Sequence, residues 1–532
     1  MNIARRNFVK SAALLAVAGI PTFGSGDTCT DDATLLSLGL KKQLFLDNLL
    51  VESAQDITRQ FHSPQKYEGN PLIVKDKPWE RELYFRTASY RVLHDPKDKL
   101  FKCWYGEVFK WEQEWVFRDL YANSEDGIHW VKPALGIYRE NGQDTNIYWP
   151  TGSGLIRDVI IDPFESDESK RFKSLHAQAP PSQTPGHYDY RRTYTEACYS
   201  ADGVHWKTYD ERPSFGKFGA ILGDVVILSY DLDDKVYILN TRHPQMEKAA
   251  LNLRLPQTKS FFRPHYPDDF ARINKRRIYQ CLSSDLIHWS EPTLILGPDD
   301  EDNLDDYLYG MAQYRVGDTW IGLLNVLHSV PDVVDIQLAY SLDGRCWKRI
   351  RQPWFTPGPA GGWDQVMVDL STEPIEIGDE LWFYYGGSGL VHHDWYDEAL
   401  KEGLDVPEAK NVDISKVGFF MGLAKLRLDG YCSLNAGPVR EGIVVTRQLA
   451  SPGTGIVMNA ECGPGGYIDI EVFNQADEVL PGYSRKDFDR FTGNAVRQQL
   501  SWQGRTKVPA EPFRRLVFYM RNAKLYSLQF VA

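Results

Sequence analysis

Ser124-Glu125-Asp126-Gly127-Ile128-His129-Trp130 returns along the chain as Ser200-Ala201-Asp202-Gly203-Val204-His205-Trp206. It returns again as Ser284-Asp285-Leu286-Ile287-His288-Trp289 and as Ser341-Leu342-Asp343-Gly344-Arg345-Cys346-Trp347. Each copy carries the chemistry of a hairpin corner: Asp and Gly make the turn, the Ser hydroxyl and Asp carboxylate bond local backbone, and Trp anchors the returning strand. The tryptophans recur at intervals of roughly 60 to 80 residues, the size of a four-stranded sheet unit. Turn chemistry accounts for every residue of the motif, so its role is structural rather than catalytic.

Working outward, each corner is fed by runs of strand length and strand composition. The first unit reads 83–93, a turn at His94-Asp95-Pro96-Lys97-Asp98, then 100–108 and 118–124. The second reads 159–161, 172–177 and 196–200; the third 225–230, 236–241 and 277–283; the fourth 307–314, 320–327 and 335–341. A fifth unit without the Trp follows at 366–370, 381–385 and 417–428, closing at Asp429-Gly430. Five such units predict an all-β chain built on a five-bladed β-propeller spanning residues 31–430. A closed ring leaves no exposed edge, and the segment 43–51, with Leu44-Phe45-Leu46-Asp47, is expected to be the outer strand that completes the last blade. Past Gly430 the pattern shifts to short strands at 442–446, 455–459, 466–473, 497–503 and 513–520. These predict a C-terminal β-sandwich over residues 431–532.

The chain of 532 residues is 42% hydrophobic and 25% charged, which suits two globular domains. Aromatic residues reach 13%, an excess that fits both pleated sheets and sugar binding. A net charge of −12 and the lack of a basic stripe speak against a nucleic-acid partner. Arg5-Arg6-Asn7-Phe8-Val9-Lys10, the apolar run 11–20 and the small residues Ala16-Val17-Ala18 have the form of a twin-arginine export signal. Residues 1–30 are therefore expected to be signal and linker, and the mature protein periplasmic or extracellular with no transmembrane segment. Seven cysteines without a C-x-x-C pair give no zinc or redox motif.

In a propeller the leading ends of the innermost strands converge at one channel mouth. An acid stands at each of these places: Glu80 or Glu82, Asp158, Asp224, Asp305 or Asp306, and Asp364. Crowded carboxylates repel and drive their pKa values apart, the condition that glycoside hydrolysis exploits with one acid and one nucleophile or base. Glu82 (or Glu80) is expected to be the general acid and Asp224 the nucleophile or base. Asp158, Asp306 and Asp364 would tune their pKa values or hold sugar hydroxyls. Arg157 and Arg242 are candidate partners of the acids, and Trp79 and Trp363 are candidate platforms for a sugar face. No organic cofactor and no dedicated metal site is indicated, although a structural calcium ion in the channel fits a ring of carboxylates. His392-His393, on a loop after Gly386-Gly387, are as compatible with a surface as with a ligand role.

Leu44 to Asn48, Phe61-His62-Ser63-Pro64, Asn70-Pro71-Leu72, the repeated corners, Trp363-Asp364, Tyr384-Tyr385-Gly386-Gly387 and the tail Asn522 to Ser527 resemble secreted proteins similar to the propeller of glycoside hydrolase families 32 and 43. The resemblance runs over nearly the whole chain after the signal and implies a propeller acting on oligo- or polysaccharide. It departs from the catalytic pattern of the invertases and fructanases. No Asn-Asp-Pro-Asn-Gly motif occurs in blade one, Arg157-Asp158 is followed by Val159 rather than Pro, and Ala197 separates Glu196 from Cys198. Sialidases offer a second comparison, but the corners here are one residue shorter than theirs. The leading expectation is an exported glycoside hydrolase; the alternatives are a non-catalytic carbohydrate-binding propeller and a structural propeller at an envelope surface.

Overall fold

The computed structural model describes residues 35–111, 114–149, 156–178, 194–216, 225–242, 276–329, 331–390, 418–509 and 514–532. The signal-like segment, Cys29, Asp224 and His392-His393 lie outside these residues. Among the described residues the only helical element is one short 3-10 turn, Glu168–Lys170; everything else regular is strand. No helix among them is long and apolar enough to cross a membrane.

The strands fall into successive antiparallel groups, or units; the last two share one nine-stranded sheet through a parallel contact between Val334 and Met367. The innermost strands are Tyr90–Asp95, Ile156–Ile161, Val226–Asp231, Asp306–Val316 and Met367–Asp369. The first four units build outward in chain order, as in Ile156–Ile161, Phe172–Gln178, Tyr194–Ser200 and Trp206–Thr208. In the fifth, Met367–Asp369 pairs with Glu380–Ser388, which pairs with Phe419–Arg427, and the outer place is taken by Gln65–Lys66 from the start of the chain. The segment expected to close this unit, 43–51, does something else. Lys42–Leu44 pairs with the final strand Arg515–Val531, and Val51–Gln55 pairs with Gly442–Thr446. Period-two alternation explains the choice: Phe45 enters the C-terminal core while Leu44 and Leu46 face the core of the units, so the segment lies between the two.

The units meet in cyclic order. Arg91 reaches Asp158 at 3.4 Å, joining the first to the second, and the Asp158 carboxylate accepts from Leu228 N of the third at 2.9 Å. Asn240 Nδ2 donates to Met311 O at 3.0 Å, joining third to fourth. Asn325 brackets Leu370 with two 3.0 Å hydrogen bonds, joining fourth to fifth. Thr87 Oγ1 donates to Asp369 and Ala88 N donates to Ser371 Oγ at 2.9 Å, returning the fifth to the first. Gly310 sits where these strands crowd together. A Cβ there would stand 2.7 Å from Thr87 Cγ2 and 2.9 Å from Val225 Cγ1, so the close approach requires glycine.

The four corners are turns. In each, one aspartate oxygen accepts two successive backbone N–H groups, as Asp126 does from Ile128 and His129 at 2.8 Å each, and the Ser hydroxyl accepts the N–H before them. In the third copy the serine is Ser283 rather than Ser284, with Ser283 Oγ accepting from Leu286 N at 3.0 Å. Leu286 there adopts the positive φ of 71° that glycine adopts in the other three. The corners also bind the preceding unit. Trp104 Nε1 donates to Gly203 O, and Tyr384 OH of the fifth unit donates to Gly127 O of the first at 2.8 Å, so the same joint recurs where chain order breaks.

The second body is an eight-stranded sheet with one large apolar core and a small second cluster of Val445, Phe473, Val517 and Tyr519, dominated by the long strands Gly455–Phe473 and Arg515–Val531. It is not made from C-terminal residues alone, since three strands between Lys42 and Phe61 belong to it. The described cysteines are all free thiols.

Candidate functional site

Glu82 stands exposed just before the first inner ladder, and the peptide that carries it is pinned from below. Glu107 Oε1 accepts from Glu82 N at 3.1 Å and from Arg81 N. Glu107 faces Arg118 across the ladder, with 2.6 Å between Oε2 and Nη2. Burial pushes the Glu107 carboxyl upward, against the pull of Arg118. Glu80 is buried and committed differently. Lys132 Nζ lies 2.6 Å away, and the carboxylate accepts from Asp76 N at 2.9 Å and Lys77 N at 3.1 Å, clamping the preceding turn. Trp79 is half-buried, its indole N–H donating to Asn146 Oδ1 at 2.8 Å.

Asp158 lies inside the ring. Besides Arg91 and Leu228 N, it accepts from its neighbour Val159 N at 3.0 Å. Burial nevertheless raises its carboxyl to about 7, against the pull of Arg91, which also pairs with Glu373 at 2.9 Å. The side chain of Arg157 and all of Asp224 lie outside the described residues, although Val225, next to Asp224, packs against the axis at Gly310. Asp369 is the second interior acid. Burial raises it, with Arg86 and Thr87 opposing.

Asp306 opens the fourth inner strand and accepts from His328 Nδ1 at 2.7 Å, while His328 Nε2 reaches Asp335 at 3.1 Å. Burial opposes a charge on this ring, yet the two flanking carboxylates hold it at about 10, so the imidazolium donates from both nitrogens at neutral pH. Arg242 lies 4.1 Å from the Tyr309 ring centroid, and Arg276 5.0 Å from the same ring. Asp364 is buried behind Trp363, with Lys66 Nζ at 2.5 Å and Tyr385 OH at 2.9 Å. Trp363 stacks on Tyr385 at 5.5 Å and remains half-buried.

Glu80, Asp158, Asp306 and Asp364 are thus each engaged by a different cation, Lys132, Arg91, His328 and Lys66, the first three of which also meet a second carboxylate. Among the described residues no group of three or more His, Cys, Asp or Glu is placed to hold a metal ion. Glu107, Arg118, Arg91, Asp369 and the His328-Asp335 pair were not singled out from the sequence. Their one signal is a charge set inside an apolar strand run, as in Tyr105-Gly106-Glu107-Val108-Phe109. Chemically, the leading ends carry, spread over different units, an exposed carboxylate (Glu82), a doubly braced imidazolium, guanidinium groups over tyrosine rings, and an indole surface.

No protein-family model matches the chain, and no curated protein matches it. Solved structures similar to it include glycoside hydrolases, a phosphorylase and an N-acetylgalactosamine deacetylase from F. plautii. One described as a glycoside hydrolase is 11% identical, with a TM-score of 0.43, over 69% of this chain and 92% of that one. A beta-1,2-mannobiose phosphorylase from Listeria innocua is 13% identical, with a TM-score of 0.40, over 68% and 96%. A Bombyx mori GH32 beta-fructofuranosidase is 9% identical, with a TM-score of 0.38, over 86% and 94%. The fold stands on the chain's own sheets and their cyclic joints, independently of these likenesses.

Proposed function

We propose that this chain is an exported five-bladed propeller that hydrolyses glycosidic bonds at the leading ends of its inner strands. The observation that carries this reading is the convergence of the inner strands on one axis, around Thr87, Asp158, Val225, Gly310 and Asp369. Residues that directly precede those strands are thereby drawn to one end, and they are the ones with the needed chemistry. Glu82, on a peptide fixed by Glu107, is the general acid. Asp224, one residue before Val225, is the nucleophile or base. Asp306, braced by His328, and Trp363 hold the sugar, with Arg157 and Arg242 beside them, while Asp158 acts through the field of the channel. Residues 1–30 direct export.

A panel of oligosaccharides presented to the full chain and to its Glu82→Gln and Asp224→Asn variants tests the assignment. Turnover by the parent should fall by about 100-fold or more in each variant, with the fold intact because Glu82 is exposed. Undiminished turnover in both variants would remove these residues from the chemistry. The ion pairs that occupy Glu80, Asp158 and Asp364 favour one rival, a propeller that binds glycans without cleaving them. Saturable binding with no product from any sugar would establish that rival.

A further inference from the structure

Far from the inner strands, the long hairpin of the C-terminal sheet is interrupted. Cys462 pairs with Ala523 and Tyr467 with Arg521, so residues 463–466 loop out opposite the single residue Asn522. Glycine is required there: a Cβ on Gly466 would stand 2.3 Å from Asn522 O. The excursion forms one wall of a cavity of about 490 Å³, which Tyr467, Arg490, Thr492 and Arg521 complete. That volume falls within the range of small-molecule sites.

Its charge is the reverse of the protein's. Arg490 and Arg521 lie 4.2 and 5.0 Å from the Tyr467 ring centroid. The nearby carboxylates are already paired, Asp469 with Arg490 at 2.7 Å and with Arg485 at 2.8 Å, and Glu441 with Arg485 and with Tyr467 OH. Three guanidinium groups therefore face two carboxylates. Among the described residues no carboxylate lies within ion-pair reach of Arg521, which is exposed on the cavity rim. No acid lines the cavity at all, in a chain of net charge −12.

We propose that this cavity binds the oxyanion, carboxylate or sulfate ester, of an acidic saccharide. Arg521 is the principal donor, assisted by the nitrogen of Arg490 that Asp469 does not take up and by the Thr492 hydroxyl. The anion contact stands on the cavity alone; only the saccharide identity of the ligand rests on the carbohydrate reading above. Calorimetric titration of the full chain provides the test, with a uronic-acid oligosaccharide, a sulfated oligosaccharide, a neutral oligosaccharide of equal length and inorganic sulfate as probes.

One or both acidic sugars should bind, and the stronger class identifies the anion. Arg521→Gln should weaken that binding about tenfold or more and Arg521→Glu should abolish it, while Arg521→Lys retains part of it. The neutral sugar should not compete, and inorganic sulfate should bind more weakly than the acidic sugar. Equal affinity for the neutral sugar, unchanged affinity in Arg521→Glu, or no binding of either acidic sugar overturns the proposal. Inorganic sulfate binding as tightly as the sugars overturns its saccharide part. Acidic-sugar binding that depends on Arg521, in a protein that cleaves no glycan, would leave this site standing and the hydrolase reading refuted.

Discussion

At the trailing ends of the inner strands, Asp95 is held by Lys102 at 2.9 Å and by Arg171 at 2.6 Å, and Asp162 by Lys173 at 2.8 Å and by the Tyr237 hydroxyl. Each also caps its own turn, accepting from Lys97 N and Phe164 N respectively. Burial works against these carboxylates, yet their partners outweigh it and hold both below the usual range. Within the strands of the units the balance reverses. Asp158, Asp369 and Glu107 are also buried and also bonded, but burial prevails and all three are raised. The difference lies in the cations. Asp95 has two, at 2.9 and 2.6 Å, one of which also pairs with Asp98, whereas Asp158 has one, at 3.4 Å, which also serves Glu373. The turn aspartates are fastenings, whereas the acids within the strands hold their protons more tightly than usual.

The trailing end is the place to break this comparison. Asp95→Asn takes the counter-charge from the Arg171 guanidinium and leaves the buried ammonium of Lys102 with Asp98 alone, and should cost about 3–5 kcal/mol in urea unfolding. Its own stabilisation is present above the ordinary carboxylate range and is lost as pH falls through and below it, because the folded state holds Asp95 ionised. Gly310→Ala tests the crowding on which both sets depend. With Thr87 and Val225 in the way, it should cost about 1–3 kcal/mol in the same measurement.

Asp158 has the opposite sign. It binds its proton more tightly folded than unfolded, so the parent should lose stability as pH rises from about 4 toward 7. In Asp158→Asn that loss should be reduced by up to about 1.4 kcal/mol per pH unit, read from urea midpoints across the window. The smallest effect belongs to Glu82→Gln. An exposed side chain should move stability by less than about 0.5 kcal/mol, so lost turnover in that variant reports on chemistry rather than folding.

The corners and turns were legible because their chemistry is local. Ser-x-Asp-Gly and Asp-Pro fix a conformation within four residues, and the aspartates they place are the ones that bond the backbone in the structure. Even here adjacency misled: with Ser283 and Ser284 side by side, only the structure distinguishes the hydroxyl that accepts from Leu286 N. Long-range pairing was not legible. Leu44-Phe45-Leu46 alternates equally well for either sheet, and nothing local says that Gln65–Lys66 completes the fifth unit instead. The acids before the inner strands were visible as a spacing, but their partners were not. Lys66 meets Asp364 and Arg91 meets Asp158 only because the ring closes. Asp369 and Glu107 were hidden because one charge in an apolar run reads as strand, while its burial is decided by neighbours distant in sequence.

Carbon-13 NMR titration of aspartate carboxyls, with Asp95→Asn and Asp158→Asn as assignment variants, tests the opposition of turn and strand acids most directly. The Asp158 carboxyl should titrate near 7, while that of Asp95 stays ionised through the ordinary carboxylate range. Two carboxyls titrating together in that range would contradict the account.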